Sequence, residues 1–145
     1  MLIDSHCHLD RLKAAPDSAS LQSIMDNAKA QGVDYLLCVN VRQQEDPRVV
    51  AIGETGLDYF YSNDTKTLQQ QCFEQQIALA VEVNKPLIVH TRDAREDTIN
   101  MLKAGHADKV GGVLHCFTEN WEMAKAAIDL GFYISVSGIV TFKNA

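Results

Sequence analysis

The stretch Pro86-Leu87-Ile88-Val89-His90-Thr91-Arg92-Asp93-Ala94-Arg95-Glu96 decides the fold. Leu87, Ile88 and Val89 form a short unbroken apolar run behind a proline, the pattern of a strand buried on both faces. Asp93, followed three residues later by Glu96, has the spacing of a capping box and opens a helix running to about Ala104. A strand of this kind passing straight into a helix is the repeating unit of a parallel α/β sheet.

The unit recurs on either side. Upstream, Leu2–His6 reads as an opening strand and Ser18–Ala30 as a helix, with Leu21, Ile24, Met25 and Ala28 on one stripe and Gly32 as its stop. Val33–Val39 and Val49–Ile52 read as strands, the second followed by Gly53-Glu54-Thr55-Gly56-Leu57-Asp58-Tyr59. A long helix over about 65–83 then carries Leu68, Cys72, Phe73, Ile77, Ala80 and Val81 at helical spacing. Downstream, Gly111–His115 and Phe132–Val136 read as strands, with a helix over Glu119–Leu130 between them. The pattern leaves two architectures, an open doubly wound sheet or a (β/α)8 barrel. One join fits neither. Asn40–Arg48 is polar and too short for a parallel crossover, which takes about a dozen residues or more.

At 145 residues, 46% hydrophobic and 22% charged, the chain has the composition of a core-forming globular protein, which excludes intrinsic disorder and collagen-like repetition. No apolar run reaches the roughly 18 residues of a membrane span. Met1-Leu2-Ile3-Asp4-Ser5-His6 lacks the charged flank and apolar centre of a signal peptide, so the expectation is a cytoplasmic protein without a membrane partner. Thirteen Lys and Arg against nineteen Asp and Glu give a net charge of −6, which excludes a non-specific nucleic-acid coat protein. It leaves open an enzyme that meets phosphates at one place through metal ions. Cys7, Cys38, Cys72 and Cys116 form no C-x-x-C pair and read as thiols in a reducing compartment.

The chemistry gathers at the carboxyl ends of the strands, where parallel α/β proteins carry their sites. His6 and His8 flank Cys7 and, because strand side chains alternate, point the same way while Cys7 points away. Glu54 ends the third strand, two residues beyond inward-facing Ile52, His90 ends the Pro86–Val89 strand, and His115 ends Gly111–Leu114. Taken singly, each is an ordinary rim residue. Together they place four of the five histidines and a carboxylate on one rim, and that conjunction reads as a metal site. The fifth, His106, sits in a turn and reads as a surface residue. Imidazoles with one bridging carboxylate suit one or two transition-metal ions, which could clamp the oxygens of an in-line displacement. Asp4 either orients a ligand imidazole or fills a polar core position. Arg92 projects from the same rim, as a phosphate-binding guanidinium or as a partner of Asp93 or Asp58. Cys116 faces away as a packing residue, and Tyr59, Phe60 and Tyr61 offer either a base-stacking surface or aromatic loop packing.

These residues sit in blocks that resemble the TatD family of metal-dependent deoxyribonucleases, in its bacterial YcfH-type members. The blocks are Asp4-Ser5-His6-Cys7-His8-Leu9-Asp10, Gly53–Tyr59, Lys85–Ala94, Gly112-Val113-Leu114-His115-Cys116-Phe117 and Tyr133-Ile134-Ser135-Val136-Ser137-Gly138. The resemblance implies a TIM-type (β/α)8 barrel of the metal-dependent hydrolase superfamily. It further implies that His6 and His8 bind one divalent ion, that Glu54 bridges to a second as the catalytic carboxylate, and that His90 and His115 hold the second. Which metal (Mg, Mn or Zn) is left open. The implied activity is hydrolysis of DNA phosphodiesters, often as an exonuclease, with DNA as the substrate partner and no obligate protein partner.

Two departures stand beside it. The family carries a strand with a Gly-x-His-Pro motif where this chain has only Arg42–Pro47, the join that failed on crossover length. The family's closing strand, with a Thr-Asp-Ser-Pro type motif, would lie beyond Ala145. About six of eight strands are legible, and a barrel takes about 250 residues. The expectation is therefore a single barrel domain over 1–145 with residues missing near 42–48 and after 145. A second reading is an amidohydrolase acting on a C–N bond, although Leu87-Ile88-Val89 offers no bridging lysine. A third is a non-catalytic metal-binding protein, should the chain be complete as written.

Overall fold

The computed structural model describes residues 2–7, 18–38, 49–60 and 64–143. The chain divides into two compact units, Met1–Arg42 and Gln43–Ala145. The short join over 40–48 lies outside the described residues, as do His8 and Tyr61.

The first unit is a strand–helix–strand motif. Strand β1 (Leu2–Cys7) pairs in parallel with β2 (Val33–Cys38), and helix α1 (Ser18–Ala30) lies between them in sequence. The register sets Asp4 beside Leu36 and Cys7 beside Cys38. Gly32 ends the helix at a φ of 86°, a left-handed turn that a glycine adopts without strain.

The second unit alternates four strands with three helices: β3 (Ile52–Asp58), α2 (Lys66–Glu82), β4 (Leu87–Arg92), α3 (Arg95–Ala104), β5 (Gly112–Leu114), α4 (Trp121–Asp129) and β6 (Phe132–Ile134). The four strands form one parallel sheet in the order β3-β4-β5-β6. Successive strands are therefore neighbours, each joined to the next by a helix, as the apolar runs require.

The core forms where the helices meet the sheet. Phe73, Ile77 and Ala80 on α2 are fully buried, together with Leu57, Leu87, Val89, Leu102 and Leu114. Each large side chain of this set contributes on the order of 1.5–3 kcal/mol by leaving water. The one buried polar pair in this core, Thr91 and Thr98, is satisfied internally, with its hydroxyl oxygens 3.1 Å apart.

The structure moves several boundaries. The third strand starts at Ile52 and runs through Gly53–Asp58, so Glu54 lies inside it rather than at its end. Leu68 is 60% exposed and Cys72 is exposed, so neither belongs to the inner stripe of α2. The five residues from Leu68 to Phe73 rotate the helix about 140° past a full turn, which puts Leu68 on the outer side. Asp93 does not cap α3. It takes a φ of 54°, and Ala94 occupies the cap position without a side-chain hydrogen bond. The fourth helix starts two residues later than expected, at Trp121, capped by Asn120, whose Oδ1 accepts a hydrogen bond from the Met123 amide at 3.0 Å.

Candidate metal centre

Two glycines set how closely β3 approaches β4. A Cβ at Gly53 would sit 2.6 Å from the carbonyl oxygen of Ile88, and one at Gly56, where φ is 137°, would meet the carbonyl oxygen of His90. No side chain fits in either gap, so the Gly-Glu-Thr-Gly run brings the carboxyl ends of the two strands together. The register places Gly56 beside His90 and Asp58 beside Arg92.

The result is a histidine held between two carboxylates. His90 Nδ1 lies 3.5 Å from Glu54 Oε1, and His90 Nε2 lies 3.0 Å from Asp58 Oδ2. Glu54 and Asp58 are four residues apart on one strand and share a face by the period-two rule. All three side chains are partly exposed, which leaves the group reachable from solvent. Asp58 is anchored on every side. Its Oδ1 accepts the Phe60 amide at 3.0 Å, its own amide donates to Gln69 Oε1 at 2.8 Å, and its carbonyl accepts from Gln69 Nε2 at 2.8 Å. Thr65 Oγ1 takes a further hydrogen bond from Gln69 Nε2, at 3.0 Å.

Imidazole and carboxylate are donor types that bind transition-metal ions. A carboxylate only accepts, so Asp58 Oδ2 takes the Nε2 side of the ring, and the Nδ1 side is turned towards Glu54 Oε1 at 3.5 Å. Among the described residues no group of three or more His, Cys, Asp or Glu side chains is arranged to hold a metal ion. His115 follows β5 and donates its backbone amide to the Val89 carbonyl at 2.8 Å, one strand along from His90. His6 lies within β1 in the first unit, and His8 is outside the described residues.

Around the centre the remaining expected residues take definite places. Arg92 sets its guanidinium carbon 3.6 Å from the centroid of the Phe60 ring, a stacked cation–π pair. Tyr59 packs in the loop rather than presenting a stacking surface. Its hydroxyl donates to Asp97 Oδ2 at 2.8 Å and accepts from Gln70 Nε2 at 2.9 Å, while Lys66 lies over its ring and 3.2 Å from Asp97. Burial, reinforced by the Asp97 bond, raises the Tyr59 pKa, and the Tyr59 hydroxyl lowers that of Asp97, with Lys66 and Gln70 adding to the effect. Cys116 places its Sγ 2.7 Å from Ser137 Oγ, and His106 is an exposed left-handed turn residue.

Sequence reasoning missed Asp58, Gln69 and Glu119. Asp58 was legible in principle, because it shares the strand face of Glu54. Glu119, whose side chain is 4% exposed, pairs with Arg95 and accepts the Asp93 amide at 3.3 Å, tying the β4–α3 loop to the segment before α4. The Glu119 contact holds the Arg95 guanidinium above its ordinary pKa. No local sequence pattern signals that pairing.

Known proteins match this sequence over nearly its whole length. The family model described as TatD related DNase matches residues 41–145. YcfH of Escherichia coli strain K12, an uncharacterized metal-dependent hydrolase, is 41% identical over 183 aligned positions that take in 99% of this chain and 69% of the relative. The alignment is longer than the 145 residues of the chain, so the relative carries residues within the matched span that this chain does not. The 3'-5' ssDNA/RNA exonuclease TatD of Edwardsiella piscicida is 40% identical over 92 residues, 63% of this chain and 35% of the relative. The solved structure of YJJV, a TatD homologue from Escherichia coli K12, superposes with a TM-score of 0.84 at 24% identity, covering 99% of this chain and 71% of that one. The parallel strand–helix repeat is accordingly part of a TIM-type barrel, its four-stranded sheet open among the described residues. The chain belongs to the TatD family of metal-dependent hydrolases.

Proposed function

We propose that this protein cleaves phosphodiester bonds of DNA, as an exonuclease of the cytoplasm that uses two divalent metal ions. One observation carries the reading: Glu54 Oε1 and His90 Nδ1 face each other at 3.5 Å from adjacent parallel strands. The exonuclease name of the Edwardsiella piscicida relative supports the choice of nucleic acid. In this reading Glu54 would serve both ions as the catalytic carboxylate, His90 and His115 would hold one of them, and His6 and His8 would hold the other. When bound, the ions polarise phosphoryl oxygens and bring the pKa of water down from about 15.7 towards neutrality.

The chain's own residues supply placement. Glu54 and His90 would hold the cation that meets the phosphate at the β3–β4 rim, and Arg92, steadied by the Phe60 ring, would offer its guanidinium to the phosphate oxygens. We further propose that residues 1–145 form one hydrolase barrel domain in which a segment found in relatives is missing near 42–48. Three observations support this: the family match begins at residue 41, the two compact units part after Arg42, and the YcfH alignment is longer than the chain.

The test is Glu54→Gln in the 145-residue chain, assayed for Mn2+ binding by calorimetry and for release of nucleotides from an end-labelled single-stranded oligodeoxynucleotide. Both should fall by more than the roughly 10–100-fold that changes around a metal ligand cost. Undiminished cleavage by the variant would overturn the role of Glu54. Turnover of a cyclic amide without turnover of DNA would replace the nuclease reading by the amidohydrolase one.

A further inference from the structure

We infer that Asp58 is a positioning residue that fixes the tautomer of His90 and thereby makes Nδ1, not Nε2, the nitrogen presented towards Glu54. The inference rests on the metal-centre reading for its consequence, but its first half stands on hydrogen bonds alone. Asp58 Oδ2 lies 3.0 Å from Nε2, within hydrogen-bond range, whereas Glu54 Oε1 lies 3.5 Å from Nδ1, beyond it for a direct N–H···O bond. The shorter contact takes the proton. A neutral imidazole carries one N–H, so the nitrogen facing Glu54 is left as an acceptor.

The surroundings of Asp58 show that it is built to hold this position. Its second oxygen is occupied by the Phe60 amide at 3.0 Å, which stops the carboxylate from rotating away. Its backbone is gripped by the Gln69 carboxamide through a matched donor and acceptor, both at 2.8 Å, as a second strand would grip it. Gln69 stands on α2, which packs on the sheet through Phe73 and Ile77. The orientation of the His90 ring is thus tied through Asp58 and Gln69 to the buried core. A residue that positions an imidazole in this way sets its basicity and aim, and loss of such a partner typically lowers metal affinity about 10–100-fold.

The experiment is a long-range proton–nitrogen NMR correlation on the full chain labelled at histidine nitrogens, without metal, in alkaline solution. The H90Q variant assigns the His90 signals. The expected result is a His90 protonated on Nε2 in the parent chain, with that preference kept in Asp58→Asn, whose oxygen still accepts, and lost in Asp58→Ala. Mn2+ affinity should fall about 10–100-fold in Asp58→Ala and less in Asp58→Asn. A parent His90 protonated on Nδ1, or an Asp58→Ala chain with unchanged tautomer and affinity, would overturn the assignment. A chain that shows the Asp58-dependent tautomer yet binds no metal would support the positioning role and count against the metal-centre reading instead.

Discussion

The two flanks of the four-stranded sheet are made differently. On the β3–β4 flank the strand ends carry Glu54, Asp58, His90 and Arg92, and Asp58 and His90 are held by hydrogen bonds of 2.8–3.0 Å. On the β6 flank Tyr133, Val136, Val140 and Phe142 stand 79%, 62%, 59% and 67% exposed. Both flanks belong to one sheet with one core. The first flank gathers the polar side chains of the candidate centre, with Val50 and Phe60 exposed beside them, whereas the second exposes apolar side chains in sequence. An apolar patch of that kind on an otherwise ordinary surface marks a place where something else packs.

The largest expected effect tests the first flank. Gly56→Ala puts a Cβ against the His90 carbonyl at a φ of 137°, where an L side chain is already strained. Unfolding in urea should show a loss of about 3 kcal/mol, at the upper end of what single substitutions usually cost. A loss under about 1 kcal/mol would mean that β3 and β4 can part cheaply, and the close approach would no longer explain how Glu54 and His90 meet.

That close approach also marks what the sequence allows one to read. The strand–helix alternation is legible because Leu87-Ile88-Val89 and Val113-Leu114 are apolar on both faces, and the positions of Glu54 and His90 follow from it. Asp58 escaped because the third strand was ended at Ile52, which hid that residues 54, 56 and 58 share a face. Asp93 was misread for a different reason. Its spacing to Glu96 is a sound local cap signal, but Asp93 is left-handed and its amide goes to Glu119, twenty-six residues on. Tertiary contacts of that range leave no periodic trace. Leu68 failed likewise, since its spacing fits a helix while its rotation relative to Phe73 turns it outward.

A smaller effect is expected behind the polar flank. Tyr59→Phe removes a hydroxyl that bonds Asp97 at 2.8 Å and Gln70 at 2.9 Å, and should cost about 1 kcal/mol in thermal or urea unfolding. The same substitution should flatten the acid limb of the stability profile. Asp97 has a folded pKa below its ordinary value of 3.8, chiefly through the Tyr59 hydroxyl. A lowered carboxylate contributes stability that is present above the unfolded value and is lost as pH falls through the folded one. Acidification below about pH 4 should therefore weaken the parent more steeply than the variant. Identical acid limbs would show that the Tyr59–Asp97 bond does not persist in solution.

The least effect on stability is expected on the apolar flank, and it is the one that decides what that flank is for. Phe142 is 67% exposed, and the 3-10 turn Gly138–Thr141 before it contributes no buried residue. Phe142→Ser should therefore change the unfolding free energy by no more than about 0.5 kcal/mol. Removing an exposed ring beside Val140 and Val136 should at the same time lower self-association in sedimentation at high protein concentration. A loss above about 1 kcal/mol would mean that the ring is covered in solution, since only a buried side chain has that much transfer free energy to lose. In that case the two flanks would differ in what covers them rather than in whether they are covered, and the apolar one would count as interior.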